Sequence, residues 1–85
     1  MEPEQIQRAL RELDEWSVKD GKLHKEFSFT DFSETRAFIE RVCDAADELN
    51  HHPEVWFTYA KAIVEIVTHD SGGLTEKDFA LARKI

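Results

Sequence analysis

The chain has 85 residues, 18 acidic against 11 basic, for a net charge of −7, and 41% are apolar. A chain this short makes one domain, residues 1–85, burying roughly 60–65% of its unfolded surface, which leaves no room for a cofactor-binding domain beside a catalytic one. The negative charge argues against a nucleic-acid partner, and no apolar run approaches the roughly 20 residues of a membrane span.

Met1-Glu2-Pro3-Glu4 lacks the basic and apolar segments of a secretory leader. Residues 4–13 place Ile6, Ala9, Leu10 and Leu13 on one stripe at helical spacing, with Pro3 or Glu4 suited to a first turn. Trp16 and Val18 alternate with polar neighbours, and Asp20-Gly21 is a turn pair able to take positive φ. Residues 16–29 therefore read as a hairpin around Lys19–Lys22, with Leu23, Phe27 and Phe29 in the second strand.

Asp31 is placed to cap the next element, and Glu34, three residues on, to close a capping box. From Phe32 the apolar positions Phe38, Ile39, Val42, Ala45, Ala46 and Leu49 recur at helical spacing. This long helix ends near Asn50, because Pro53 forbids its continuation. The lone cysteine, Cys43, allows no internal disulfide and sits in this apolar pattern as a core residue. That usage suits a reducing cytoplasm.

Val55 to Thr68 is rich in β-formers, and Trp56, Phe57 and Tyr59 read most simply as sheet core. Its apolar parity changes phase near Ala60-Lys61, which means either two strands or one strand with a bulge. Ser71-Gly72-Gly73 is a turn. Thr75 opens a final helix with Asp78 at its third position, and Leu74 and Phe79 stand where a hydrophobic staple requires them. The order helix, strand, strand, helix, strand, strand, helix predicts an α+β fold, a four-stranded antiparallel sheet with three helices on one face.

Asn50-His51-His52-Pro53-Glu54 is the most reactive run of the chain, and His69 and Asp78 follow it. Imidazoles give and take protons near neutral pH. Each residue also has a plain reading: a histidine at a helix end bonds an orphan carbonyl, His69 is a solvated loop residue, and Asp78 completes the cap of Thr75. Asp47, four residues before His51, is either solvated or orients that ring from one turn away. Trp56, opposite in parity to Val55 and Phe57, is the best candidate to line a pocket for a flat ring. Three histidines and a carboxylate are a conceivable zinc set, but adjacent histidines rarely converge on one ion, and no His-x-x-x-His pair is present. No strained serine elbow or phosphate-cradling loop occurs. The residues alone point to an acid–base site in a small α+β protein.

Asp47, His51-His52-Pro53, Tyr59, Thr68-His69, Gly73-Leu74-Thr75 and Asp78, in that order and spacing, resemble the signature of the pterin-4a-carbinolamine dehydratases. The resemblance extends over nearly the whole chain. It departs at Ala60, where the family commonly has asparagine, and at Trp56, where many members carry a polar residue. It implies dehydration of a 4a-hydroxytetrahydropterin to the quinonoid dihydropterin, recycling the cofactor of aromatic amino acid hydroxylases. The pterin is then the substrate, and no cofactor or metal is implied. The implied catalytic set is His51, His52, His69 and Asp78: His51 and His69 transfer protons, His52 holds substrate, and Asp78 or Asp47 supports an imidazole. Pro53, Glu54, Trp56 and Thr68 complete the expected substrate-binding or supporting set. The resemblance further implies a homodimer, or a homotetramer formed through the long helices. The rival reading is a non-catalytic dimerisation or coactivator protein that binds a partner through the long helix.

Overall fold

The computed structural model describes residues 1–85, and its elements follow the predicted order. They are α1 (Pro3–Arg11), β1 (Ser17–Lys19), β2 (Lys22–Ser28), α2 (Phe32–Leu49), β3 (Glu54–Phe57), β4 (Lys61–Ile66) and α3 (Glu76–Lys84). The strands form one antiparallel sheet in the order β1-β2-β4-β3. No helix is long and apolar enough to cross a membrane.

Strand alternation sorts the side chains. Ala62, Val64 and Ile66 of β4 and Leu23 of β2 are fully buried, and they join Phe38, Val42 and Ala45 of α2 with Phe79, Leu81 and Ala82 of α3 in one core. Burying a side chain such as Phe79 or Leu81 stabilises the fold by about 1.5–3 kcal/mol. Ile6, Ala9 and Leu10 of α1 pack against the margin of this core. The other face of the sheet carries the opposite parity: Lys22, His24 and Glu26 on β2, Ile63 and Glu65 on β4, and Glu54 and Trp56 on β3.

The predicted turns and caps set the element boundaries. Asp20 and Gly21 take φ of 53° and 78° between the paired Lys19 and Lys22, the primed geometry that matches strand twist. The 55–68 segment is two strands, with Thr58–Ala60 between them, rather than one bulged strand. α1 is shorter than the apolar stripe suggests: Glu12 caps it, and Leu13 lies beyond its end while still packing on the core.

Three expectations are corrected. The Asp31 carboxylate accepts from the Glu34 N–H at 2.9 Å, but the Glu34 carboxylate reaches past Asp31 to the N–H and hydroxyl of Thr30, at 2.8 and 2.7 Å. The box is therefore shifted back by one residue. Cys43 is exposed, because the buried stripe of α2 is Thr35, Phe38, Val42, Ala45 and Ala46 and Cys43 stands about 100° round the helix from Val42. Trp56, Phe57 and Tyr59 are 53%, 47% and 66% exposed. They belong to or follow β3, an edge strand of the sheet. Lys61 Nζ lies over the Trp56 ring, 5.7 Å from its centre, and Phe32 stacks on Tyr59 with ring centres 6.1 Å apart.

Candidate active site

Asp78 is the anchor. As the third residue of α3 it accepts the Thr75 N–H at 2.7 Å, while Thr75 Oγ1 accepts from Lys77 N–H. The carboxylate is nevertheless wholly buried, and a buried charge persists only where donors surround it. Its Oδ2 also accepts the Thr68 hydroxyl at 2.8 Å, and its Oδ1 lies 2.6 Å from His51 Nε2. Its place in the first turn of α3 adds the favourable end of the helix dipole. The single proton of Thr68 goes to Asp78, so the Thr75 hydroxyl donates to Thr68 across 2.8 Å. No buried side-chain polar atom is left without a partner.

The end of α2 delivers His51 to this carboxylate. Asn50 takes the left-handed conformation, with φ 50° and ψ 45°, and its N–H meets the Ala46 and Asp47 carbonyls. The His51 backbone N–H also bonds the Ala46 carbonyl at 3.0 Å, so main-chain donors close the helix end at Ala46 and Asp47, and the imidazole bonds Asp78 rather than a helix carbonyl. An ionised carboxylate only accepts, so His51 carries its proton on Nε2 towards Asp78 and leaves Nδ1 to exchange a proton elsewhere. The His51 side chain is 13% exposed.

His52 points elsewhere. Its Nε2 lies 3.2 Å from Asp47 Oδ1, and both side chains are well exposed. Asp47 therefore orients His52, whereas the sequence places it one turn from His51. Near the start of β3, Glu54 pairs with Glu65 of β4, so the far end of β4 returns beside the His52-Pro53 segment. His69 follows as the first residue of a 3-10 turn, His69–Ser71, which Gly72 closes at φ 73°. Its ring is exposed and makes no hydrogen bond. The Glu54 carboxyl is held below its ordinary range, first by a hydrogen bond from Lys22, then by that ammonium's charge, with a further contribution from His69. Lys22 is raised in turn, chiefly by the same bond.

The structure thus joins His51, Thr68 and Asp78 directly. It sets His52 beside Asp47 and leaves His69 exposed on the short turn after β4. Trp56 stands two residues from Glu54 on the same open sheet face, and half-buried Pro53 makes the bend between helix and strand. No three histidine, cysteine, aspartate or glutamate side chains converge as a metal site. A concavity of about 710 Å³ adjoins the site at Thr68 and Thr75 and is otherwise lined by Met1 and Gln5, Asp70 and Ser71 of the 3-10 turn, and Glu76 and Lys77 at the start of α3. Thr75, read in the sequence as the cap of the last helix and a signature residue, also bonds Thr68 of the site; Lys22, 32 residues from Glu54, is the participant with no role in the sequence reading, and it has no local signal.

Comparison with known proteins gives a consistent result. The family model described as pterin 4 alpha carbinolamine dehydratase matches residues 1–85. A relative from Sulfolobus acidocaldarius bearing that dehydratase name is 41% identical over 85 residues, covering 100% of this chain and 93% of its own. One from Solibacter usitatus is 44% identical over 81 residues, covering 95% and 85%. The crystal structure of a transcriptional coactivator/pterin dehydratase from Brucella melitensis superposes with a TM-score of 0.93 at 36% identity, covering 99% of this chain and 92% of that one. A pterin dehydratase-like RuBisCO assembly factor of the alpha-carboxysome shares the fold alone, with a TM-score of 0.65 at 24% identity. With its whole length matched and its histidine and carboxylate pattern in place, this chain belongs to the pterin 4 alpha carbinolamine dehydratase family.

Proposed function

We propose that the protein dehydrates a 4a-hydroxytetrahydropterin to the quinonoid dihydropterin and water by histidine acid–base catalysis. The carrying observation is the contact between His51 and buried Asp78, which fixes the ring's tautomer and leaves one nitrogen for proton exchange. The hydroxyl at C4a is a poor leaving group until protonated. An imidazolium supplies that proton, the C4a–O bond breaks, and the lone pair of the adjacent ring nitrogen forms the new C=N bond. A second imidazole takes the proton that a pterin nitrogen loses. His51 and His69 fill these two roles, His52 holds the substrate, and Trp56 offers a ring face. The products are one quinonoid dihydropterin and one water, so the reaction is redox-neutral. Positioned acid–base groups contribute about 10²–10⁴-fold each, which suits a small open site.

The reading places the protein in recycling of the pterin used by an aromatic amino acid hydroxylase. A stopped-flow assay on enzymatically generated 4a-hydroxypterin tests it: the protein should accelerate loss of the carbinolamine chromophore. No acceleration, together with stoichiometric capture of a regulatory helix, would favour the coactivator reading instead. The exposed Trp56, Phe57 and Tyr59 along edge strand β3 support a homodimer closed by edge pairing, with a tetramer as the larger alternative. Sedimentation equilibrium at micromolar concentration tests this, and a fully active species of 9.9 kDa would overturn it.

A further inference from the structure

Thr75 opens α3 as its N-cap, and both donors on Asp78 Oδ2 trace back to it. Its N–H reaches Oδ2 at 2.7 Å, and its hydroxyl reaches the same oxygen through Thr68, in two steps of 2.8 Å. Thr75 Oγ1 also accepts from the Lys77 N–H at 3.3 Å, so its single proton turns away from the helix and towards Thr68. The donors therefore run one way, from Lys77 through Thr75 and Thr68 to Asp78. They end on Oδ2 and leave Oδ1 to His51, 2.6 Å away. A cap uses only the oxygen of Thr75, as an acceptor for first-turn N–H groups. The proton it donates to a residue seven positions back serves nothing in α3.

Thr68 carries the same bonds to the second imidazole. It precedes His69 and pairs with Gly73 across the base of the short turn. Inside that turn the main-chain bonds are long: the Ser71 N–H reaches the Thr68 carbonyl and the Gly72 N–H the His69 carbonyl, each at 3.3 Å. The Ser71 hydroxyl adds contacts of 3.1 Å to the Thr68 carbonyl and 2.9 Å to that of Gly73. His69 is exposed and its ring has no bonded partner, so its place is set by the backbone that Thr68 begins. Thr68 is itself tied to α3 by Thr75 and Asp78.

We propose that Thr75 is a positioning residue for the dehydration: through Thr68, its hydroxyl holds the Asp78 carboxylate in line with His51 and sets the His69 turn against that pair. This deepens the dehydratase reading and rests on it for its catalytic meaning. Hydrogen bonds in series polarise one another and strengthen where water is excluded, and Asp78 at the end of this series is wholly buried. Thr68 and Thr75 also line the concavity beside the site, so direct contact with substrate is the competing role, and kinetics separates the two.

Steady-state kinetics of the intact protein tests the assignment. Thr75→Ala, which loses a neutral hydrogen bond, should lower kcat by about 2–10-fold with KM unchanged; Thr68→Val, which loses one to a charged group, by about 10–100-fold. Thr75→Ser should restore the rate. Residues in one chain of bonds are not additive, so the double variant should be no slower than Thr68→Val. A wild-type kcat in Thr75→Ala, an equal loss in Thr75→Ser, or a rise in KM alone overturns the role, as do factors that multiply in the double variant. Thr75→Gly, which costs a helix start little, replaces Thr75→Ala if that variant does not fold. Nitrogen-15 NMR of the His51 ring gives a readout without turnover: the Nε2–H tautomer should lose share in Thr75→Ala and regain it in Thr75→Ser, and an unmoved tautomer overturns the alignment. If the wild-type protein shows no dehydratase activity, the functional reading falls, while the ring spectrum still decides whether Thr75 aligns His51.

Discussion

Asparagine in place of Asp78 keeps the shape of the side chain and reverses one contact. Oδ2 accepts both the Thr75 N–H and the Thr68 hydroxyl, so the amide oxygen settles there. The amide NH2 then occupies the Oδ1 position, 2.6 Å from His51 Nε2. Two donors cannot share that contact, so His51 must move its proton to Nδ1, the atom needed for exchange. A hydrogen bond to a charged group contributes about 1.5–3 kcal/mol and a neutral one about 0.5–1.5, so the net loss is about 1–2 kcal/mol. In a domain of this size that lowers Tm by about 5–15 °C. Alanine is harsher: it loses a cap contact of about 1 kcal/mol and strands buried donors at about 1–3 kcal/mol each. Against a total stability of about 4–13 kcal/mol for 85 residues, Asp78→Ala should be partly unfolded. Urea unfolding followed by circular dichroism measures the stability, and the stopped-flow assay measures turnover. Asp78→Asn should fold yet lose about 10²–10⁴-fold in dehydration rate. A folded Asp78→Asn protein that works at the wild-type rate would refute the tautomer argument.

His69→Ala should lower kcat by at least about tenfold with the fold intact, whereas His52→Ala should chiefly raise KM; steady-state kinetics with unchanged circular dichroism separates the two. Dialysis against a strong chelator should leave turnover unaffected, and restoration of lost activity by zinc would show that a metal is required. Glu34, which accepts two bonds from Thr30, has a carboxyl lowered from its ordinary 4.5, first by the Thr30 N–H and then by its hydroxyl. The folded value lies below the unfolded one, so this contribution is fully present above the unfolded value and is lost as pH falls through the folded value. The wild type should therefore be more stable than Glu34→Gln at neutral pH, and urea midpoints of the two should converge in acid.

Much of the architecture was legible in short stretches of sequence. Asp20-Gly21 imposed a tight hairpin, Pro53 stopped the long helix, and Thr75 with Asp78 marked the start of the last one. These signals act over three or four residues, where backbone sterics and nearby hydrogen bonds decide the outcome. The family was legible as well, because its histidines and turn residues recur at set spacings. The exposure of Trp56, Phe57 and Tyr59 was not: aromatic composition identifies a strand but not whether it lies at the edge of a sheet. The misplacement of Cys43 had a different origin. Apolar composition marks the helix, but its buried stripe is one position narrower than the run of apolar residues, and Cys43 lies just outside it.

The partners of the site residues were decided only by the tertiary structure. Asp78 is 27 residues from His51, and the two meet because α2 and α3 pack on the same side of the sheet. Asp47, close to His51 in sequence, turned to His52 because the left-handed Asn50 redirects the chain as the helix ends. Lys22 reached Glu54 because β4 lies between their strands in the order β1-β2-β4-β3. Local preferences along the chain specify where helices and strands begin and end. Which side chains then face one another depends on how the apolar faces of separate elements are buried together, and residues distant in sequence meet only once that core has formed.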